Sequence, residues 1–528
     1  MAPSEHSPLI QQQKPPVSRP KARRRRSSFD PSTYHSIGTI ADAPSTENVS
    51  RETGLTLMQI LGLTICMAGV QFTWTVELSY GTPYLLSLDL SKELTALVWL
   101  AGPLSGLLVQ PLIGAFSDKC TSRFGKRRPF IVGAGILTCI SMVGVAYAKE
   151  CGALMARVFY PVEQLEQMTR LFAIVVAVSA FYFLDFTLNA VQAICRALIL
   201  DIPPLWQQEY ANAWSARMSN SAMVVGYFVG FVDLVKYCPW LGDSQIKAFC
   251  IVAMLVFVLT LGITCFVVKE TPYVETEEQE DIAWHHTLQY IWRAFRFLPK
   301  PIQSLCNTQF FAWMGWFPYL FYSTQWVSDL YFASHPALPG DDDWAEGTRA
   351  GSFALLCNSV VSVIAGMVIP ALVMRFQSTW WLSLLNVYTC SQLIIAACLL
   401  STWFIRSVST ATVILAVMGI PWAIVLWIPF SLVGEYVSFE DERRKKTPVP
   451  AEDQQKGDDF DAGMILGVHN MYIVFPQFAV AIISSIIFAA SSGPSEGQSN
   501  VAIVLTFGGL MALLASVVSR YIVRVKKD

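Results

Sequence analysis

The chain has 528 residues, of which 53% are hydrophobic and 14% charged, with a formal net charge of −2 and a mean hydropathy of +0.45. An average soluble domain carries roughly 25% charged residues. The chain has 37 basic and 39 acidic side chains. Of these charged side chains, 47 fall in five stretches: 1–54, 117–129, 269–303, 437–461 and 520–528. A soluble fold needs charge on the exterior of every element, so soluble enzymes, nucleic-acid-binding proteins and disulfide-stapled scaffolds are excluded.

Apolar segments long enough to cross a bilayer recur along the chain. A bilayer core of about 30 Å takes roughly 20 apolar residues as a helix, and twelve such segments are predicted: 57–79, 94–116, 130–148, 171–199, 210–232, 247–268, 305–330, 350–375, 380–403, 411–436, 462–490 and 500–523. The first and fourth are long enough to predict a tilt or a break, which in the first would lie at Gly81-Thr82-Pro83.

The polar stretch 269–303 leaves six segments on each side, which predicts an all-α membrane protein of twelve transmembrane helices in two six-helix halves. This arrangement is typical of a two-domain carrier. A weak internal echo, CRALILD with SNSAMVVGYFVG against SLVGEY with AGMILGVHNMYIVFPQ, agrees with it. The predicted division is a disordered cytoplasmic tail (1–54), an N-terminal half (55–268), a cytoplasmic linker (269–303), a C-terminal half (304–524) and a cytoplasmic end (525–528).

The basic residues outside the spans predict the orientation. If the N-terminus is cytoplasmic, 27 Lys and Arg side chains lie inside and 8 lie outside. Cytoplasmic loops carry the excess of Lys and Arg, so both termini are predicted to be cytoplasmic. The twelve cysteines form no CxxC pair, and neither a metal nor a redox site is predicted.

Three charges inside spans are the first functional candidates, because charge is costly in lipid. Glu77 lies in the first helix, and Asp185 and Arg196 lie in the fourth. Asp185, Asn189, Gln192 and Arg196 are spaced at +4, +7 and +11, which brings them to one helix face, with the acid and the base roughly 16 Å apart along the axis. An aspartate in a poorly solvated cavity can load and release a proton near physiological pH, which suits a proton-coupled carrier.

Each of these charges also has a purely structural explanation. Asp185 and Arg196 can form a fixed interhelical pair that orders the bundle. Glu77 can be a second proton site, a hydroxyl acceptor or a rim carboxylate in contact with water. In the functional interpretation, Asp185 and Glu77 are the proton-coupling candidates, and Arg196 is the candidate for binding a polar substrate.

Amides and tryptophans inside the spans form a second set of candidates. Amides both donate to and accept from sugar hydroxyls, and aromatic faces stack on sugar C–H surfaces. Each one alone is also common as a packing residue or a hydrogen-bonding link between helices. The substrate-binding amides are predicted to be Gln71, Asn189, Gln192, Gln309, Asn358 and Asn470, and the tryptophans inside spans are Trp313, Trp316, Trp422 and Trp427.

The loop between the second and third helices reads GAFSDKCTSRFGKRRPF, from Gly114 to Phe130. It resembles the loop signature of the major facilitator superfamily, in the R-x-G-[RK]-R-R-P form of sucrose–proton symporters and their animal relatives among the glycoside–pentoside–hexuronide carriers. WLAGPLSGLLVQPLIG (99–114), FLDFTLNAVQAICRALILD (183–201) and LGVHNMYIVFPQ (466–477) agree in the same order. Ion pairs in the loop can latch the two halves in one state, and the predicted gate residues are Asp118, Arg123, Gly125, Lys126, Arg127 and Arg128.

The resemblance implies roles for two residues of the fourth helix. Asp185 resembles the family's proton-coupling acid, and Arg196 resembles the arginine tied to sugar binding or coupling. The chain departs from the plant members at Leu90-Ser91-Lys92, where they carry a histidine. Glu77 is closer to the animal branch and to fungal α-glucoside carriers, and His469 replaces an apolar residue.

The sequence therefore predicts a carrier, not an enzyme, that imports an α-glucoside such as sucrose or maltose with a proton. The proton is the coupling ion, and no other cofactor is expected. The expected partners are a sugar and the lipid bilayer, with no nucleic acid. The expected location is the plasma membrane. The absence of a GxxxxGK[ST] loop disfavours primary pumping. Two alternatives stay open: a proton-linked hexose or glycoside carrier of an internal membrane, and a non-transporting sugar sensor.

Overall fold

The computed structural model describes residues 54–118, 120–270, 298–335, 344–376, 382–446, 462–491 and 500–523. All regular secondary structure within these ranges is helical. The predicted tail (1–54) and linker (269–303) fall almost entirely outside the described residues, and the end (525–528) falls wholly outside them. The division of the chain into those domains stays a prediction.

The described residues form eighteen α-helices. They are α1 (Leu57–Thr64), α2 (Cys66–Ser87), α3 (Lys92–Val98), α4 (Ala101–Asp118), α5 (Arg128–Ala146), α6 (Ala148–Phe159), α7 (Leu165–Asp201), α8 (Gln208–Phe231), α9 (Leu234–Tyr237), α10 (Gln245–Val267), α11 (Lys300–Ser334), α12 (Trp344–Arg375), α13 (Leu384–Ser401), α14 (Val408–Val417), α15 (Gly419–Val425), α16 (Ile428–Lys446), α17 (Ala462–Ala490) and α18 (Asn500–Ser519).

Ten helical stretches in the described part of the chain are long and apolar enough to cross a membrane, which confirms an all-helical, multi-pass membrane protein. The segments predicted at 210–232 and 305–330 correspond to α8 and α11, which have 24 and 35 residues but are not among the ten. Both are rich in polar and aromatic side chains, which lower the hydropathy of a helix. That these two also cross, for a total of twelve, stays a prediction.

The first predicted segment is interrupted at a different place from the one expected. The structure has no break at Gly81-Thr82-Pro83, because α2 continues through Pro83 to Ser87, and the interruption lies at Ile65 between α1 and α2. Packing stabilises the turn around the proline: the Thr82 hydroxyl donates to the Phe321 carbonyl at 2.7 Å, and the Tyr84 hydroxyl donates to the Val145 carbonyl at 2.7 Å. These contacts offset the backbone hydrogen bond that proline cannot make.

Buried apolar side chains form three clusters among the described residues. Two consist of residues before 271, one around Phe249 and the other around Leu188. The largest gathers residues after 298 around Trp316, and it takes in Trp99 and Tyr227 from the earlier part of the chain. The cores therefore lie largely on either side of the predicted linker, and aromatic residues join them.

Several contacts between the two sides of the linker lie at one end of the bundle. Trp99 stacks on Phe321 with ring centroids 4.2 Å apart, and its indole N–H donates to the Thr82 hydroxyl at 3.1 Å. At the same end, the Arg349 guanidinium lies 2.8 Å from an Asp233 carboxylate oxygen. We call this the Arg349 end, and the opposite end, where α7 finishes at Asp201, the Arg127 end.

Two glycines face each other where α11 and α18 cross. A Cβ added at Gly508 would lie 3.0 Å from the Gly315 carbonyl oxygen and 3.2 Å from the Pro318 ring. We expect Gly508→Leu to destabilise the folded chain by about 1–3 kcal/mol, the usual cost of overpacking, and to lower the melting temperature of the purified protein in detergent. Gly434→Leu is the matched control, because a Cβ there meets nothing within 4 Å. Equal melting temperatures for the two variants would contradict the close crossing.

Candidate functional site

Two carboxyl groups lie side by side inside the bundle. Glu77 on α2 and Asp185 on α7 are each 2% exposed, and their side chains are close enough to share a hydrogen bond. Glu77 Oε2 and Asp185 Oδ1 are buried and have no other hydrogen-bond partner among the described residues. The structure therefore brings together the two acids that the sequence analysis selected separately.

This arrangement limits the charge that the pair can carry. Two adjacent carboxylates repel each other, and burial removes the water that would stabilise either charge. No ion pair joins Glu77 or Asp185 to a basic side chain in the described ranges. A single proton held between the two oxygens removes the repulsion and leaves one buried negative charge in place of two, and paired carboxyls of this kind titrate as one unit.

The polar stripe on α7 becomes more accessible toward the Arg127 end. Asp185 and Asn189 are buried, Gln192 is half-buried and Arg196 is exposed. Asn189 is fully engaged: its amide nitrogen donates to the Ser105 hydroxyl at 2.7 Å and to the Asp185 carbonyl at 2.9 Å, and its oxygen accepts from Gln110 at 2.8 Å. Asn189 therefore orders the site, while Gln192 keeps its amide unpaired in the described part of the chain.

Arg196 is not paired with Asp185 in this structure. Many protein atoms lie around its side chain, but part of the side chain is still accessible to solvent. No ion pair or hydrogen bond joins it to a described residue. Since the carboxyl partner of Asp185 is Glu77, the fixed Asp185–Arg196 pair is not the arrangement found here. Within the described residues, Arg196 is a free cation on the same stripe of α7 as Asp185, toward the Arg127 end.

The other predicted amides do not form one cluster. Gln309 on α11 is buried, with its amide nitrogen 3.4 Å from His469 Nε2. Asn358 on α12 is also buried, and it donates to the Leu415 carbonyl at 2.9 Å. Asn470 is exposed. Asn358 therefore ties α12 to α14, and Gln309 keeps a free acceptor, because its Oε1 has no partner among the described residues.

An aromatic face on α11 holds further polar atoms without partners. The indole N–H groups of Trp313 and Trp316 and the hydroxyl of Tyr319 are buried, and none has a hydrogen-bond partner among the described residues. Trp422 packs against both indoles, with ring centroids 6.2 Å from Trp313 and 4.9 Å from Trp316. A buried donor left unpaired costs about 1–3 kcal/mol, so a polar partner at these groups would stabilise the folded chain. The sequence analysis did not select Tyr319, since one tyrosine among 18 carries no signal of its own.

The basic loop after α4 forms an ion-pair network around a buried arginine at the Arg127 end. Arg127 is 5% exposed, and its guanidinium pairs with Asp118, donates to the Ser117 hydroxyl, and reaches Asp201 at 2.9 Å. Lys126 also binds Asp201, at 3.0 Å. These pairs join α4, the loop and α7, all of which precede residue 271, so a latch across the two halves stays a prediction.

Two acidic residues that the sequence analysis did not select complete this network. Glu270, just after α10, accepts the backbone N–H groups of Arg127 and Arg128 at 2.9–3.1 Å. Gly125 adopts φ = +107°, a left-handed conformation that favours glycine, and thereby aims these N–H groups at the carboxylate. Asp201 could have been selected from the sequence, because it ends the fourth helix on the same side of the membrane as the basic loop. Glu270 carried no such signal, because it stood among the acids of the linker.

Two relatives of known type resemble this chain over most of its length. No family model matches it. It is 30% identical to the general alpha-glucoside permease of Schizosaccharomyces pombe over an alignment of 557 positions, which covers 91% of this chain and 96% of that protein. It is 28% identical to sucrose transport protein SUT1 of Oryza sativa subsp. japonica over 447 positions, which covers 78% of this chain and 79% of that protein.

Solved structures share the fold at low sequence identity. The crystal structure of the D-xylose-proton symporter has a TM-score of 0.56, with 15% identity over 88% of this chain and 97% of that one. The crystal structure of the nucleoside transporter NupG has a TM-score of 0.52, with 12% identity over 89% of this chain and 100% of that one. Both neighbours are transporters, and their likeness is one of fold.

Removing Arg127 should destabilise the Arg127 end. Arg127→Ala leaves Asp118 and Asp201 without their shared cation. These carboxylates are 57% and 27% exposed. We therefore expect the free energy of unfolding to fall by about 1–3 kcal/mol, which is less than the cost of breaking a fully buried pair. The measurement is the melting temperature of the purified chain. Arg123→Ala is the control, because Arg123 is exposed and contacts only the Phe124 ring in the described loop. Equal melting temperatures for the two variants would contradict a structural role for the network.

Proposed function

This chain belongs to the family of α-glucoside and sucrose transporters within the major facilitator superfamily, and on that premise we propose that it imports an α-glucoside, sucrose or maltose, together with a proton. The names of the relatives support the class of substrate. The observation that supports proton coupling is the buried Glu77–Asp185 pair, which can hold one proton and releases it only when water or a cation reaches it.

The proton would move through this pair in a fixed order. With the site open to the outside, a proton binds between the carboxyl oxygens of Glu77 and Asp185 and removes the net charge of one carboxylate. Sugar then binds, and the site, which now carries one negative charge in place of two, can turn toward the other side with less desolvation cost. When the site opens to the cytoplasm, water and the positive charge of Arg196 favour the ionised pair, and the proton leaves.

We assign the sugar to the space between the α7 stripe and the aromatic face of α11. Gln71 and Gln192 are half-buried and have no hydrogen-bond partner among the described residues. On α11, Gln309 and Trp313 have unpaired polar atoms within the described part of the chain, and the Trp313 ring offers an apolar face. Amides and indoles together match the alternating hydroxyl and C–H surface of a glucoside.

We assign the Arg127 end to the cytoplasm and the protein to the plasma membrane, with the proton as coupling ion and no further cofactor. The excess of Lys and Arg on the side of both termini supports this orientation. In that orientation, the contacts around Phe321 and Arg349 close the outer side, while Arg196 is accessible from the inner side. The conformer described is then an inward-open one.

Uptake of labelled sucrose and maltose in transporter-deficient cells tests the proposal as a whole. We expect accumulation of at least one of the two sugars, accompanied by alkalinisation of an unbuffered medium. Uptake without proton movement would overturn the symport mechanism. If the purified chain binds sugar but cells show no uptake, the protein is a non-transporting sugar sensor and not a transporter.

One substitution separates proton coupling from sugar binding. Asp185→Asn removes the ionisable group while keeping its size, so we expect proton-driven accumulation to be lost while exchange of labelled for unlabelled sugar continues. Glu77→Gln leaves Asp185 in place, so accumulation should persist with an altered dependence on pH. Glu166→Gln, an exposed carboxylate, serves as the control and should match the unaltered chain. Full uphill uptake by Asp185→Asn would remove Asp185 from the mechanism.

The ion pair at the Arg349 end should matter for the transport cycle. Arg349→Gln removes a contact that closes this end, and for a pair with side chains 27% and 28% exposed we expect a loss of about 1 kcal/mol, or roughly fivefold in the initial uptake rate. The double exchange Asp233→Arg with Arg349→Asp should restore most of the rate. Arg170→Gln, which breaks an exposed pair with Asp89, is the control. If the double exchange is slower than either single change, the pair does not act as a gate.

A further inference from the structure

An apolar groove runs along the outer surface of the bundle between α5 and α10. Its volume is about 540 Å³, and its walls include Val132, Ile136 and Ile140 of α5 with Val258 and Leu261 of α10. Val132, Ile136, Ile140 and Val258 are 50–61% exposed. Both helices are among those apolar enough to cross a membrane, so the groove opens to lipid and lies outside the carboxyl site.

The groove has the length of one lipid leaflet. Its lining residues on α5 run from Ile131 to Val143, which at 1.5 Å per residue is about 18 Å. The hydrocarbon of one leaflet is about half of a 30 Å core, or roughly 15 Å. A single acyl chain lying along α5 therefore fits the groove from the membrane surface to the midplane.

Arg128 lies at the start of α5, where the groove is expected to reach the membrane surface. Arg128, Val132, Ile136 and Val143 lie at i, i+4, i+8 and i+15, on one face of α5, so Arg128 continues the line of the groove by one turn. It is close enough to Cys265, which lines the groove from α10, to interact with it electrostatically.

Arg128, unlike Lys126 and Arg127, has no acidic partner within the described residues. Lys126 and Arg127 are paired with Asp118 and Asp201. Glu270 lies nearby, but its carboxylate accepts the backbone N–H groups at the start of α5. The Arg128 Nε–H is buried and has no hydrogen-bond partner in the described ranges. A buried guanidinium donor of this kind calls for an anion, and phosphate suits its geometry.

We propose that the α5–α10 groove together with Arg128 binds one anionic phospholipid, with an acyl chain in the groove and the phosphate on the Arg128 guanidinium. The charge complementarity selects an anionic lipid over a neutral sterol. Anionic lipids are concentrated in the cytoplasmic leaflet, which is the leaflet expected at the Arg127 end. The bound lipid would hold α5 against α10 at the base of the basic loop.

Two glycines supply a matched pair of variants. Gly262 lines the groove, and a Cβ added there meets nothing within 4 Å, so Gly262→Leu places a side chain in the groove without a clash of its own. Gly133 on α5 is equally open but does not line the groove. Both changes replace a helical glycine by leucine, and only the first occupies the space of the acyl chain.

The test is native mass spectrometry of the full chain, extracted from vesicles of phosphatidylcholine with about a fifth phosphatidylglycerol and a sterol. We expect one phosphatidylglycerol retained per chain, a loss of about fivefold in Arg128→Gln, as for one basic residue near a membrane surface, and a similar loss in Gly262→Leu. Arg128→Lys and Gly133→Leu should retain the lipid, which separates lost binding from misfolding.

Three outcomes would overturn the proposal. Equal retention of phosphatidylcholine and phosphatidylglycerol would show that Arg128 does not select the head group. Retention of sterol alone, or a dimer that disappears in Gly262→Leu, would assign the groove to another occupant. Phosphatidylglycerol retention that is unchanged in both Arg128→Gln and Gly262→Leu would place the lipid elsewhere.

Discussion

The organising constraint of this protein is that two carboxyl groups, Glu77 and Asp185, are buried together in a bundle built for lipid. Glu77 Oε2 and Asp185 Oδ1 have no other partner among the described residues. In such a place the number of protons and the solvent access of the site are linked, because an ionised pair needs water or a cation. A protein that changes the solvent access of this site therefore also changes the charge of the pair.

The surrounding helices are shaped to make this pair possible. Small residues allow α2 to approach its neighbours closely: a Cβ at Gly69 would collide with Thr260 on α10, and one at Gly226 on α8 would collide with Thr75. On the other side of the pair, Asn189 is held by hydrogen bonds to α4, which sets the rotation of α7. Rigid packing on several sides keeps the two carboxyls facing each other.

The two ends of the bundle are stabilised by different interactions. At the Arg349 end, aromatic stacking and an ion pair join residues on opposite sides of the linker. At the Arg127 end, a dense network around Arg127 joins α4, α7 and the segment after α10. The contacts at the Arg349 end therefore join the two sides of the linker, whereas the ion pairs around Arg127 lie within the part of the chain before residue 271.

The candidate site was partly predictable from the sequence. Charges within apolar spans stand out because lipid makes them costly, so Glu77, Asp185 and Arg196 were all selected. Their pairing was not predictable, and the structure joins Asp185 to Glu77 and not to Arg196. The amides show the same limit: Asn189 and Asn358 are satisfied by the bundle, whereas Gln309 keeps a free acceptor among the described residues.

The sequence by itself determined the membrane class, the helical spans, the intramembrane charges and the resemblance to sugar carriers, because hydropathy, charge and motifs are properties of short stretches of chain. Only the tertiary structure decided which side chains meet, as with Arg127 and Asp201, which are 74 residues apart, or Glu77 and Asp185. It also decided that α2 passes through Pro83 without a break and that Trp99 stacks on Phe321 across the two halves. Such contacts depend on how helices distant in sequence rotate and cross, and local composition leaves that rotation open.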